Sequence, residues 1–292
     1  MRSSIFLSDL TVVDHAYIDN VGRVIGGSYN PGFVVTGEVS DDESVVVDFS
    51  TIKKDLKTHM DKHIFNIDFN GFDHKLWIIE GFSNCKLREG TLDDDNRIEV
   101  ITPAFIGLFP SDAIRYIQNP LEAQLSDAFI GSQFAIHLTD CLTEIYPNIN
   151  LNVECFNTRN VHVINQEIPL RYFRYSHGLK DSTSYGCQNL GHGHLSFIQH
   201  EDTRMCDHIS QQLHNAVFIN AGNIIQEDDG ELTIEYTSQR GYFRGTYNKL
   251  FNKLIVLPTE TTIEYIAEYV RDMFNINNFY ISEGLSKGTF VS

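Results

Sequence analysis

Three histidines between residues 177 and 194 could together hold one metal ion. His192 and His194 are two positions apart, so on an extended strand their side chains point to the same face. His177 can supply a third imidazole, which leaves the fourth position of a tetrahedral Zn²⁺ open. An open position is typical of catalytic zinc, because structural zinc usually has four protein ligands. The spacing predicts a catalytic Zn²⁺ site, and a zinc ion that only stabilises the fold is the alternative.

Cys187 lies in the same segment and is the candidate base. A positive ion lowers the pKa of a nearby thiol, and the resulting thiolate can accept a proton. Zn²⁺ bound to vicinal hydroxyls or to a carbonyl makes an adjacent C–H more acidic. These residues therefore predict proton abstraction beside an oxygen-bearing carbon. A zinc hydrolase is the competing interpretation, but it needs a carboxylate close to the metal, and the His192-Gly193-His194 motif contains no glutamate.

Three segments resemble the metal-binding signature of the 6-pyruvoyltetrahydropterin synthase and 6-carboxytetrahydropterin synthase family: Tyr175-Ser176-His177, Cys187 and Gly191-His192-Gly193-His194-Leu195. The resemblance implies an α+β tunnelling fold (T-fold), in which antiparallel sheets with helices on one face join into a barrel on oligomerisation. It also implies a Zn²⁺ cofactor and a lyase acting on 7,8-dihydroneopterin triphosphate. In that family the site lies between subunits, with the metal and cysteine from one subunit and an Asp-His pair from its neighbour.

The chain contains one segment similar to the family's Asp-His motif, Asp73-His74, far from the histidine cluster in sequence. Taken alone, this dipeptide would be an ordinary surface pair near a helix end. The first half retains His15, but Gly26-Gly27-Ser28-Tyr29 stands where the second half has Gly-His-Gly-His. One half thus has the metal ligands and the other has Asp-His. We predict one composite site between two unlike halves.

The same comparison predicts two diverged T-fold units, residues 1–166 and 167–292, each with the order strand, strand, helix, helix, strand, strand. Residues 46–51 and 233–238 are predicted to be equivalent strand ends, and the extra length of the first unit is placed around residues 85–124. The nearest second-half equivalent of Asp73-His74 is predicted at residues 251–254. Ser50 or Thr51 is predicted to cap a helix that buries Ile52, Leu56 and Met60. A second helix is predicted near residues 132–146. Another near the C-terminus has Thr261 and Glu264 at capping-box spacing.

Substrate recognition is assigned by the resemblance to a glutamate near a strand end, Glu283, with Glu154 as its first-half counterpart. Such a carboxylate can accept the paired N–H groups of a pterin ring. A triphosphate requires positive charge, for which the candidates are Lys180, Arg204, Lys287 and Arg159. The product is 6-carboxytetrahydropterin in one branch and 6-pyruvoyltetrahydropterin in the other, and we favour the carboxy branch. A pterin- or purine-binding protein without catalytic activity is a further alternative.

The composition is that of a globular protein, with 42% hydrophobic and 21% charged residues. A formal net charge of −17 without clustered Lys and Arg argues against a nucleic-acid surface. No apolar run of membrane-spanning length and no secretory signal is found, so a cytoplasmic protein without membrane contact is expected. Five scattered cysteines predict no disulfide framework. Exposed sheet edges predict a homo-oligomer, and six T-fold units would require three chains.

Overall fold

The structure is a computed structural model that describes residues 1–40, 45–61, 71–89, 97–118, 125–142, 145–156, 167–189 and 191–292. Within these residues the chain is an α+β protein with three β-sheets and four α-helices. The helices are α1 (Phe49–Asp61), α2 (Asp127–Leu142), α3 (Thr203–Leu213) and α4 (Ile263–Phe274). None of the helices in the described ranges has the length and hydropathy of a membrane span.

Eighteen strands are present in the described residues, nine in the chain before residue 167 and nine after it. The first nine are β1 (Arg2–Leu7), β2 (Val13–Ile18), β3 (Val24–Glu38), β4 (Leu76–Ile79), β5 (Lys86–Glu89), β6 (Arg97–Ile101), β7 (Phe105–Pro110), β8 (Ile114–Ile117) and β9 (Ile149–Phe156). The second nine are β10 (Arg171–His177), β11 (His192–Gln199), β12 (Ala216–Asn220), β13 (Ile224–Glu227), β14 (Glu231–Ser238), β15 (Gly241–Asn248), β16 (Lys253–Leu257), β17 (Phe279–Glu283) and β18 (Lys287–Val291).

Two of the sheets are built by the same set of strand pairings. The first sheet has the order β1-β3-β2-β4-β8 with β9 also paired to β3, and the second has the order β16-β12-β10-β11-β17-β18. The pairs β2–β3 and β10–β11 are antiparallel, as are β3–β9 and β11–β17. The pairs β2–β4, β4–β8, β10–β12 and β12–β16 are parallel. The expectation of antiparallel sheets therefore holds only in part for these two, because a helical crossover returns β4 and β12 in the direction of β2 and β10.

The third sheet joins the two halves of the chain. Its order is β13-β14-β15-β7-β6-β5, and all its pairs are antiparallel. Strand β7 comes from the first half and β15 from the second, and they pair from Phe105↔Tyr247 to Leu108↔Arg244. Backbone hydrogen bonds thus connect the halves directly. The predicted order of six elements per half omitted these hairpins, which lie between the two helices of each half.

Helices cover the outer face of each mixed sheet, as expected for this layering. Ile52, Leu56 and Met60 of α1 are fully buried in a core shared with α2 and the first sheet, which confirms the predicted apolar stripe. Helices α3 and α4 form the corresponding core with the second sheet. The predicted capping box is wrong, because Thr262 rather than Thr261 precedes α4 and makes no side-chain cap. Thr261 instead lies in the interior.

Three predicted correspondences between the halves are also wrong. Residues 45–47 form a bend before α1, whereas residues 233–238 lie within β14. The predicted cap of α1 by Ser50 or Thr51 is wrong as well, because both residues lie inside the helix and the Thr51 N–H donates to Asp48. The chain between β4 and α2 is nearly as long as that between β12 and α4, so residues 85–124 are not the main source of extra length. A larger difference lies between α1 and β4, residues 62–75, against residues 214 and 215 between α3 and β12. The equivalent of the Asp73-His74 connection is thus His214-Asn215, not residues 251–254, and it also lacks an Asp-His pair.

The two mixed sheets approach each other most closely at glycines. A Cβ atom built on Gly26 of β3 would lie 1.7 Å from the Tyr175 carbonyl oxygen and 2.6 Å from the backbone nitrogen of His194. A Cβ atom on Gly193 would lie 2.6 Å from the Gly26 Cα atom. The backbones of the two halves can therefore meet only because both positions lack a side chain. This contact places β2 and β3 beside the histidines of β10 and β11.

We expect Gly26→Ala to lower the free energy of unfolding by at least about 3 kcal/mol, since an added methyl group would require backbone movement in both halves. Urea unfolding measures the difference. Gly230→Ala is the matched control, because its Cβ would lie 3.7 Å from the nearest atom, an ordinary contact. The control should change stability by less than about 0.5 kcal/mol. Equal stability of the two variants would contradict the close approach.

Candidate metal centre and active site

The three histidines predicted to bind metal converge in the interior of the second sheet. His177 ends β10, and the antiparallel register places it directly opposite His192, the first residue of β11. His194 follows two residues later on the same face of β11, as the strand period requires. All three side chains are fully buried. The Nε2 atoms of His177 and His194 are 3.3 Å apart, and those of His194 and His192 are 3.1 Å apart.

The distances and the protonation of these imidazoles fit a zinc ion. Zinc–nitrogen bonds of about 2.0–2.1 Å with tetrahedral angles separate the ligand atoms by about 3.4 Å, close to the distances found here. Burial, together with the neighbouring His194, lowers the pKa of His177 to about 3. Burial and His194 also hold the pKa of His192 well below its usual value. Both imidazoles are therefore neutral at pH 7, the form that binds a metal.

Glu283, predicted to contact the substrate, lies at the open side of the same cluster. It ends β17, and its Oε1 atom is 3.9 Å from His177 Nε2, 3.6 Å from His192 Nε2 and 3.7 Å from His194 Nε2. Its Oε2 atom is 3.1 Å from Lys287 Nζ on β18. Burial raises the pKa of Glu283, but its contacts with His192 and His194 and the ammonium group of Lys287 outweigh burial and leave that pKa below its usual value. The carboxylate borders the fourth position of the cluster. Its distances to the three Nε2 atoms are a few tenths of an ångström longer than the distances between the imidazole nitrogens.

Asp73-His74 of the first half reaches this cluster. The pair lies in the turn between α1 and β4, where the His74 N–H donates to the Asp14 carbonyl at 2.6 Å and Asp73 Oδ1 accepts from the Asp14 N–H at 3.0 Å. His74 adopts a left-handed backbone conformation with φ of 52°. Its Nδ1 atom is 2.7 Å from Nδ1 of His192, and its Nε2 atom is 3.4 Å from Asp73 Oδ2. The turn thus carries an imidazole of the first half into contact with a histidine of the second.

Cys187 completes the group of predicted residues. It lies in a short 3₁₀ turn, Tyr185–Gln188, between β10 and β11. Its Sγ atom and one nitrogen atom each of His74 and His192 all lie within 4.8 Å of one another. Burial raises the pKa of the thiol, whereas a hydrogen bond from Ser184 and the positive charge of Lys287 oppose the rise. Without a bound cation, Cys187 is therefore a thiol at pH 7.

The position in the first sheet that matches the histidine cluster is filled by aromatic rings. His15 pairs with Gly27 as His177 pairs with His192, and Val13 pairs with Tyr29 as Tyr175 pairs with His194. His15 is fully buried and stacks on Trp77 with 3.6 Å between ring centroids, and on Tyr29 at 5.2 Å. The imidazole is thus packed between rings and has no facing imidazoles on β3.

Glu154 gains no support from the register of the strands. Phe33 of β3 and Ile198 of β11 occupy equivalent positions in the two sheets. Phe33 pairs with Val153, and Ile198 pairs with Ile281. The next residue, Glu154, therefore corresponds to Ser282 rather than to Glu283. A shift of one residue turns a side chain to the other face of a strand. The assignment of Glu154 to the substrate stays a prediction, and the supposed equivalence with Glu283 is wrong.

Asp14 and Arg240 belong to the site but were not predicted. Asp14 Oδ1 is 3.2 Å from Nδ1 of His194, although that nitrogen has no directed hydrogen bond within the described residues. The buried Arg240 guanidinium donates to the Gly186 carbonyl at 2.8 Å and to the His74 carbonyl at 3.1 Å. It thereby connects the cysteine turn of one half with the Asp-His turn of the other. Asp14 adjoins His15 in sequence, which was a usable signal, but no motif marks Arg240 in the β14–β15 turn.

Of the basic residues proposed for a triphosphate, Lys287 is the one that the structure places at the cluster. Arg204 is exposed on α3, and Lys180 lies near Glu260. Arg159 lies outside the described residues. The four cysteines whose side chains are described, Cys85, Cys141, Cys187 and Cys206, are unpaired, in line with the expectation of no disulfide framework.

No protein-family model matches the chain, and no curated protein matches it. Among solved structures, the chain is similar to 6-pyruvoyl tetrahydropterin synthase from Plasmodium vivax, with a TM-score of 0.40, 15% sequence identity, and coverage of 55% of this chain and 94% of that one. The Plasmodium falciparum 6-pyruvoyl tetrahydropterin synthase aligns with a TM-score of 0.35 and 20% identity, covering 52% of this chain and 90% of that one. Similarity at this level does not by itself assign an activity.

We expect His177→Ala to weaken Zn²⁺ binding by more than about 100-fold and Glu283→Gln by less than about tenfold, because the carboxylate stands slightly outside the ligand spacing. Competition with a chromophoric chelator measures both affinities. His208→Ala, on the exposed side of α3, is the control and should bind zinc like the wild type. An equally large loss in Glu283→Gln would identify a closed four-ligand site and favour structural zinc.

Proposed function

We propose that the chain is a zinc-dependent lyase that converts 7,8-dihydroneopterin triphosphate and water to 6-carboxytetrahydropterin, acetaldehyde and triphosphate. One observation carries the proposal: His74 of the first half lies 2.7 Å from His192, one of three buried histidines of the second half, and within 4.8 Å of Cys187. The residues His177, His192 and His194 would hold the zinc ion, which supplies Lewis acidity toward an oxygen of the substrate side chain.

Cys187 is the proposed base. Its Sγ atom would remove a proton from the hydroxylated side chain of the substrate, which starts the loss of triphosphate. Because burial raises the pKa of this thiol, deprotonation depends on the cations around it, namely the bound metal and Lys287. The side chains of its neighbours His74 and Asp73 are each only 13% exposed. A proton passed within this group therefore does not reach bulk solvent directly.

Glu283 and Lys287 are the proposed substrate contacts. Glu283 is held ionised, so it can accept the two N–H groups of a pterin amino-oxo edge. Lys287 lies beside it and is half exposed, which leaves its ammonium group able to face a phosphate as well as the carboxylate. A strongly acidic chain requires such a local cation to bind a triphosphate. Glu154 is kept only as a secondary candidate for pterin contact.

We also propose that residues 1–166 and 167–292 are two diverged T-fold units that share this single site, and that the chain assembles into a homo-oligomer. The four matching strand pairings of the two mixed sheets support a duplication. The aromatic stack around His15 supports the loss of a metal site from the first unit. Zinc binding and catalysis would then be concentrated at one interface between unlike units.

Two other functions use the same residues. Formation of 6-pyruvoyltetrahydropterin begins with the same proton abstraction and loss of triphosphate, but it retains the carbon skeleton and releases no acetaldehyde. A sensor or scaffold protein would bind a pterin or purine at Glu283 without turnover. The products separate all three possibilities, so a single assay decides among them.

The zinc-loaded protein is expected to release acetaldehyde and 6-carboxytetrahydropterin from 7,8-dihydroneopterin triphosphate, detected by mass spectrometry. Cys187→Ala and Asp73→Asn should each lower kcat by about 10²–10⁴-fold, the range typical of general acid–base groups. Both variants should still bind the substrate. Cys206→Ala changes a buried cysteine of α3 and serves as the matched control with unchanged turnover.

Each contrary result has a definite meaning. Full turnover in Asp73→Asn would exclude a site shared between the halves. A pyruvoyl product without acetaldehyde would move the assignment to the other branch. Tight pterin binding with no turnover by the wild type would assign the protein to the sensor or scaffold class.

A further inference from the structure

We infer that His74 is a positioning residue for the metal centre: its Nδ1 atom accepts the Nδ1–H of His192 and thereby holds His192 in the tautomer that binds zinc. This inference rests on the proposed zinc site but not on the proposed reaction. It gives the Asp73-His74 pair a task besides proton transfer to or from Cys187. The metal affinity of the second half would then depend on a side chain of the first.

The proton positions follow from the contact between the two rings. The Nε2 atom of His192 points at the other two histidines, 3.1 Å from His194 Nε2, so it must be unprotonated to bind a metal there. A neutral imidazole then carries its one proton on Nδ1. The only described nitrogen placed to receive that proton is Nδ1 of His74 at 2.7 Å, a good hydrogen-bond distance. His74 must therefore present a lone pair at Nδ1.

Asp73 faces the other side of the His74 ring. With Nδ1 acting as acceptor, the proton of neutral His74 lies on Nε2, which is 3.4 Å from Asp73 Oδ2. A carboxylate at this position favours that tautomer. Burial, followed by the charges of Asp14 and Asp61, raises the pKa of Asp73, whereas the hydrogen bond from the Asp14 N–H and the positive charge of Lys287 oppose the rise. In this arrangement the Nδ1–H of His192 points to His74, and the Nε2–H of His74 points to Asp73.

The other two histidines have outer partners as well. Nδ1 of His177 is 2.6 Å from the Thr261 carbonyl oxygen, which can only accept a hydrogen bond. Nδ1 of His194 lies 3.2 Å from the Asp14 carboxylate, an electrostatic contact without a directed hydrogen bond among the described residues. Such outer contacts orient metal-binding histidines and raise their basicity. Two of the three partners, Asp14 and His74, come from the first half, so the centre is organised by residues of both halves.

The inference also limits how His74 can act in catalysis. While His192 donates to its Nδ1 atom, His74 cannot take a proton from Cys187 at that nitrogen. Proton transfer from the thiol at Nδ1 would first require the contact with His192 to break. The turn nevertheless keeps His74 within 4.8 Å of Cys187, so its ring can shield and orient the thiol.

The test compares two variants that fit the left-handed backbone at residue 74. Asn and Gly both tolerate φ near 52°, but Asn places a carbonyl oxygen close to the original Nδ1 position, whereas Gly removes the acceptor. Zinc affinity is measured without substrate by chelator competition. We expect His74→Gly to bind zinc about 10–100-fold more weakly than wild type, and His74→Asn to remain within about threefold. The visible spectrum of the Co²⁺-loaded protein should change in His74→Gly and be restored in His74→Asn.

Asp73→Asn supplies an independent measurement should His74→Gly not fold, because its amide oxygen can still accept the Asp14 N–H. We expect a smaller loss of zinc affinity there, about three- to tenfold. His137→Gln, which replaces a buried histidine of α2 outside the cluster, should leave zinc affinity unchanged. Wild-type affinity in both His74→Gly and Asp73→Asn, or equal losses in His74→Gly and His74→Asn, would overturn the inference. Lack of turnover with these zinc affinities intact would count against the proposed reaction alone.

Discussion

The contact between the Gly26 backbone and the backbone of Tyr175 and His194 is the constraint on which the site depends. Two sheets can approach this closely only where neither carries a side chain, and Gly26 and Gly193 meet at that point. Once the strands are in contact, the starts of β2 and β4 lie beside the start of β11. The Asp73-His74 turn is then carried to His192, although more than a hundred residues separate them in the chain. The third sheet also joins the two halves, through the β7–β15 pair.

The site is buried and polar, and its stability depends on how its protons are arranged. Neutral imidazoles are favoured there because burial penalises the charged form. Glu283 remains ionised because it faces the cluster and Lys287. Arg240 adds a positive charge beside the site and donates to the backbone carbonyls of His74 and Gly186, one in each half. A structure of this kind suits chemistry in which protons move over short distances and water is kept away.

The two mixed sheets differ in how they use the same pairing pattern. In the second sheet the positions facing each other across β10 and β11 carry imidazoles, whereas in the first they carry His15, Gly27 and Tyr29. The ring stack of His15 with Trp77 stabilises the first sheet by packing and occupies the volume that a metal and its ligands would need. The first half can thus be specialised for packing and for the Asp73-His74 turn, while the second half holds the three clustered histidines and Cys187. The interface between them becomes the only described place where all the predicted catalytic residues meet.

Local patterns were sufficient to predict the histidine cluster, the stripe of α1 and the α+β class, because a strand period of two and a helix period of 3.6 depend only on neighbouring residues. They were insufficient for the hairpins of the third sheet and for the parallel pairs, which are decided by contacts between distant segments. The register also decided that Glu154 and Glu283 are not equivalent, since a one-residue shift leaves no trace in a motif. Residue types and spacing therefore determined which side chains could bind a metal or accept a proton. The resemblance to a known family predicted that Asp73-His74 would join them, but only the tertiary structure decided that His74 contacts His192 and that Asp14 and Arg240 reach the site, because such contacts arise from the packing of two sheets rather than from any spacing along the chain.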